Sequence, residues 1–130
     1  MNNGDKLDRS EQLKKRTKQL ALRVIHLFKA IPRGEEARII GRQVLRSGTS
    51  VGANYRAACR ARTSKEFVSK IRIVVEEADE TVYWLELLVE AAIVTKRRLE
   101  NLYVEANELL AIFAASQRTA ESRSRPAMVR

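Results

Sequence analysis

Apolar side chains recur along this chain at three- and four-residue steps, the spacing of amphipathic helices. In the first segment Leu13, Leu20, Val24, Leu27, Phe28 and Ile31 form one stripe, with Ser10 placed to cap it and Pro32 and Gly34 to end it. At about 100° per residue, Lys15, Lys18, His26 and Lys29 fall on the opposite, basic face.

The second segment contains Ser47, Gly48, Thr49, Ser50 and Gly52, which read locally as a loop. The apolar phase contradicts that reading. Ala37, Ile40, Val44, Val51, Tyr55 and Ala58 stay within about 60° of one another on an unbroken helix. The pattern predicts one helix over 36–61, with a kink near 47–52 as the alternative. Its small residues (Gly41, Gly48, Gly52, Ala53, Ala57, Ala61) admit a close backbone neighbour, at about 1 kcal/mol of helix propensity per glycine.

A third helix is predicted over 64–93. Thr63 and Glu66 have capping-box spacing, and Phe67, Ile71, Val74, Ala78, Val82, Leu85, Val89 and Ala92 follow in phase. A fourth begins near Thr95, carries Leu99, Leu102, Ala106, Leu109, Leu110 and Phe113, and ends near Gln117. The expected fold is all-α, an antiparallel up-down-up-down four-helix bundle over 10–118. Residues 1–9 are expected to be a flexible N-terminus and 119–130 a mobile basic tail.

Composition narrows the class. A chain of 130 residues can bury one core without a disulfide or metal staple, and its single cysteine cannot form an internal disulfide. No secretory leader or membrane span is expected, because no apolar run is long enough. The expectation is a cytoplasmic protein with no membrane association.

Charge adds more. Lys and Arg number 25 against 16 Asp and Glu, a net +9. The excess is segregated: residues 29–72 hold eleven bases and three acids, whereas 73–95 hold six acids and no base. On a continuous second helix Arg38, Arg42, Arg46, Arg56 and Arg60 share an arc of about 80° opposite the apolar stripe. Guanidinium groups fork toward phosphate or carboxylate oxygens and stay charged at every accessible pH. Three readings follow, the plainest being a solvated surface. The row tracks an RNA or DNA backbone, with Lys15, Lys18 and Lys29 as weaker contributors. Or it pairs with the third helix's acids, within one chain or across a subunit interface.

Catalytic chemistry is not signalled. His26 has no second ligand at metal spacing, Cys59 sits at the edge of an apolar face, and no phosphate-cradling glycine motif is present. The expectation is a non-enzyme with no cofactor and no metal. Trp84 and its neighbour Tyr83 point to different sides of the third helix, one toward the core and one available to an interface. Leu22, Leu87 and Leu88 exceed what one stripe needs and predict self-association.

The ordered set Phe28-Lys-Ala-Ile-Pro32, Arg46 through Arg56, Ala58-Cys-Arg-Ala61, Ser64 to Phe67, Glu76 to Glu80, Tyr83 to Glu86 and Glu105 to Glu108 resembles the small four-helix-bundle proteins encoded in intervening sequences of bacterial 23S ribosomal RNA genes. The likeness spans about Leu13 to Ala120. It implies a ring-like homopentamer. It also implies kinship with the accessory variability protein of diversity-generating retroelements, a basic pentameric barrel that binds nucleic acid and a reverse transcriptase. The family's serine-to-asparagine stretch corresponds to Ser50 to Asn54; relatives carry a glutamate shortly after, where this chain has Ala57. No catalytic residue is implied.

Overall fold

The computed structural model describes residues 3–124, and every regular element among them is a helix. They are α1 (Asn3–Ala30), α2 (Glu35–Cys59), α3 (Ser64–Glu90) and α4 (Lys96–Ser124). The apolar stripes converge on one core. Leu20, Val24, Val44, Val51, Ile71, Val74, Leu85, Leu88, Leu109 and Phe113 are at most 1% exposed. Tyr55 joins them, its ring centroid 5.0 Å from that of Phe113.

The second helix is unbroken, as its apolar phase requires. The Ser47 and Thr49 hydroxyls donate to carbonyls four residues back, so neither competes for an N–H of the helix. Its glycines face α1. Side chains added at Gly48, Gly52 and Gly41 would meet Val24, Thr17 and Ile31 respectively, so residue numbers fall along α1 as they rise along α2. Ser47, at the back of this face, is fully buried, its hydroxyl oxygen 3.0 Å from that of the equally buried Thr81 of α3. The buried pair costs little because both members are satisfied, Ser47 donating to the Gln43 carbonyl and Thr81 to the Glu77 carbonyl.

Both chain ends differ from expectation. Ser10 does not cap α1, because the helix already starts at Asn3; the Ser10 hydroxyl instead lies 3.2 Å from Cys59 Sγ on α2. Residues 119–124 continue α4 past Gln117, held in part by Arg72 of α3 donating to Glu121 at 2.7 Å. The remainder of the expected basic tail, 125–130, lies outside the described residues.

The caps carry a smaller difference. Thr63 caps α3, accepting from the Glu66 N–H at 3.0 Å, but the Glu66 carboxylate accepts from the Arg62 N–H rather than from Thr63 itself. The third helix stops at Glu90, earlier than its apolar phase suggests. Ala92 takes a left-handed φ of 59°, and the Ile93 and Val94 N–H groups both return to the Leu88 carbonyl. Ala92 is therefore an exposed turn residue and not part of the stripe.

Three substitutions test this packing and its turn. A Cβ at position 48 would lie 2.7 Å from Val24 Cγ2 and 3.1 Å from Val24 Cβ, and a β-branched side chain cannot rotate away. Gly48→Ala should lower stability by about 1–2 kcal/mol despite its gain in helix propensity, whereas Gly41→Ala, which meets only the movable ends of Ile31 and Phe28, should stay within about 0.5 kcal/mol of wild type. Ala92→Gly should raise stability by about 0.5–1 kcal/mol by relieving the left-handed alanine. Denaturant titration followed by far-ultraviolet circular dichroism reads all three.

Candidate nucleic-acid interface

The faces of α2 are set by its neighbours. Its glycine edge meets α1 and its Ser47–Ser50 edge meets α3. The remaining edge carries Arg38, Arg42, Arg46, Arg56 and Arg60, all five exposed. Exposed Ala53 and half-buried Thr49 share this edge, so the small-residue set is divided: Gly41, Gly48 and Gly52 pack inward and Ala53 lies among the arginines.

The row is not electrically uniform. Arg46 Nη1 lies 3.1 Å from Glu77 Oε2, its Nη2 pairs with Glu80 Oε1, and its Nε donates to Gln43 at 3.1 Å. Glu77 also accepts from the Ser50 hydroxyl at 2.5 Å, and Glu80 accepts from Trp84 Nε1 at 3.1 Å. The Trp84 hydrogen bond, then the Arg46 guanidinium, hold the Glu80 carboxyl below the ordinary glutamate range. A depressed carboxyl pKa contributes stability above the unfolded-state value, and that contribution is lost as pH falls through the folded value. With Arg46 half exposed the pair is worth less than about 1 kcal/mol.

Arg38, Arg42, Arg56 and Arg60 pair with no carboxylate among the described residues. They fall into two groups. Arg38 and Arg42 flank exposed Ile39 beside Gly34 and Glu35, at the start of α2. Arg56 and Arg60 line an open groove of about 290 Å³ together with Glu11, Lys14, Lys15 and Lys18 of α1. The single acid, Glu11, is engaged by Lys14 Nζ at 3.1 Å. Five cations and one carboxylate thus converge where the α1 and α2 surfaces meet. Below them, Ser10 and Cys59 link the two helices, and burial pushes the nearby Tyr55 phenol well up.

Of the sequence-derived candidates, the fold brings Lys15 and Lys18 to Arg56 and Arg60 and leaves exposed Lys29 outside this groove. Lys14 joins the groove as well, although in sequence it lies nearer the apolar stripe than its neighbour Lys15. Arg16 carries no signal in the sequence pattern. It forms a fork with Glu105 of α4 at 2.8 and 3.0 Å and reaches Glu108 at 2.9 Å, and the Glu105 bond raises its already high pKa. The Glu105/Glu108 spacing places two acids on one helix face, but nothing local names their partner.

On α3, half-buried Trp84 packs against the core and Tyr83 is 52% exposed, so Tyr83 is the ring available to an interface. Leu88 is fully buried, and its apparent surplus is core; Leu22 remains 51% exposed. His26 is exposed and Cys59 half-buried against the core. Among the described residues no three His, Cys, Asp or Glu side chains are placed to hold a metal ion, and no helix is long and apolar enough to cross a membrane.

Comparison with curated proteins yields no match. The chain is similar to the crystal structure of a protein of unknown function from the S23 ribosomal protein family of Bacteroides thetaiotaomicron VPI-5482. Identity is 32%, 81% of this chain and 97% of that one are covered, and the TM-score is 0.75. The family model for the 23S rRNA-intervening sequence protein matches residues 9–115, which take in all of α2 and α3 and most of α1 and α4. With that match and the four-helix fold in agreement, the chain belongs to the 23S rRNA-intervening sequence protein family.

Proposed function

We propose that this protein is a non-enzymatic, cytoplasmic helical bundle that binds the RNA or DNA backbone. The observation that carries the reading is the outer edge of α2, where four arginines have no carboxylate partner among the described residues and two of them share a groove with Lys14, Lys15 and Lys18. Guanidinium and ammonium groups without an internal partner keep their full attraction for phosphate, and their contacts carry no base information. Binding is therefore mostly independent of sequence.

The same reading has the helices antiparallel, up-down-up-down, and the copies assembled as a ring-like homo-oligomer, a pentamer by resemblance. The descending register of α1 against α2 supports the first part, and exposed Leu22 and Tyr83 support the second. Family membership supports a role with an element associated with ribosomal RNA, and the reading extends by resemblance to an accessory factor of a reverse transcriptase.

A second reading rests on Arg46. Because α3 acids already hold one arginine of the row, the outer acids Glu76, Asp79 and Glu90 can meet further arginines across a subunit interface, making the protein an interaction scaffold.

One experiment separates the two. RNA and DNA binding is measured across a salt series for the wild type and for a variant carrying Arg42→Glu, Arg56→Glu and Arg60→Glu. Nucleic-acid binding predicts a steep negative slope of log affinity on log salt, flattened by about 3 in the variant. Weak binding indifferent to salt and to the substitutions would sink the proposal. A variant that falls to monomers in light scattering while the wild type does not assigns the arginines to the subunit interface.

A further inference from the structure

We infer that the ligand of this surface is a nucleic-acid duplex, held at two separate cationic seats on one protomer rather than along a continuous track. The inference rests on the backbone-binding reading above and specifies which form of nucleic acid fits.

The first seat is Arg38 and Arg42, beside Glu35; the second is Arg56 and Arg60 with Lys15 and Lys18, Lys14 there being engaged by Glu11. From Arg42 to Arg56 the axis of α2 advances about 21 Å. That interval offers no unpaired cation. Arg46 is committed to Glu77 and Glu80, the Thr49 hydroxyl is turned back to the Leu45 carbonyl at 2.7 Å, and Ala53 has no polar group. A ligand that uses both seats must cross the interval unsupported.

A flexible single strand would have to be ordered over that distance. Single-strand binders offset the ordering by stacking bases on aromatic rings. Neither seat is lined by an aromatic side chain, and the exposed ring, Tyr83, stands on α3 in edge contact with Trp84. A duplex needs no such support. It is stiff over about 50 nm and carries one charge per about 1.7 Å of axis, so it presents phosphates to both seats at once. Arg38, Arg42 and Arg56 lie on one edge of unbroken α2 and Arg60 directly follows its last residue, so the separation of the two arginine pairs is fixed. The span from Arg38 to Arg60 is about 33 Å, which corresponds to about ten base pairs.

The test uses the full-length protein and DNA hairpins with stems of about 6 and about 14 base pairs, shorter and longer than that span, beside an unpaired strand of the longer hairpin's length. Affinity is measured across a salt series for the wild type, for Arg38→Glu with Arg42→Glu, and for Arg56→Glu with Arg60→Glu, each checked for unchanged helicity. For the wild type the longer stem should give a salt slope steeper by about 2 than the shorter stem, and should bind about tenfold tighter than the unpaired strand. Each double variant should abolish the difference between stems. Equal slopes on the two stems, or tighter binding of the unpaired strand, overturns the two-seat duplex while leaving backbone binding intact. Salt-independent binding to every probe overturns both.

Discussion

The close approach of α1 to α2 is the contact on which the functional surface depends. At Gly48 there is no room for a methyl group, and Val24 of α1 fills the space a side chain would take. Gly41 and Gly52 repeat the approach above and below. A helix pair seated this closely cannot rotate freely, because side chains on both sides are fixed in rotamer wells and packed at solid-like density. That seating turns the arginine edge of α2 outward. It also draws the lysines of α1 alongside Arg56 and Arg60.

Electrostatics then divides what packing has aligned. Three arginines from different helices serve as ties: Arg46 joins α2 to α3, Arg72 joins α3 to α4, and Arg16 joins α1 to α4. Each is partly exposed, so each adds little stability individually, and the core supplies the bulk. Their larger effect is on the surface field. A paired guanidinium contributes little to attraction at a distance, so the net +9 is expressed through those cations left without partners. The two groups on α2 are such places.

Much of this architecture is legible in the residue pattern. The apolar phase of Ala37 through Ala58 outweighed the loop-like composition of Ser47 to Gly52, and it did so for a physical reason. Serine and threonine hydroxyls can bond back within a helix, and glycine is tolerated where another backbone must come near. The helix ends were less legible. Ser10 has the chemistry of a cap and Ala92 the phase of a core residue, yet the first lies inside α1 and the second in a left-handed turn. Local propensity at a terminus is weak against the packing of the segments beyond it.

The sequence by itself determined four amphipathic helices, the core they bury, the outward face of the second helix and the segregation of charge. Each of these follows from spacing within one segment, where 3.6 residues per turn fixes which side chains share a face. The tertiary structure decided which charges meet. That Arg46 is held by Glu77 and Glu80, that Arg16 reaches Glu105, and that Lys14, Lys15 and Lys18 stand beside Arg56 and Arg60 depends on the register between helices. Register is set by how glycine gaps and side-chain ridges interlock across the whole core, and no single segment encodes it.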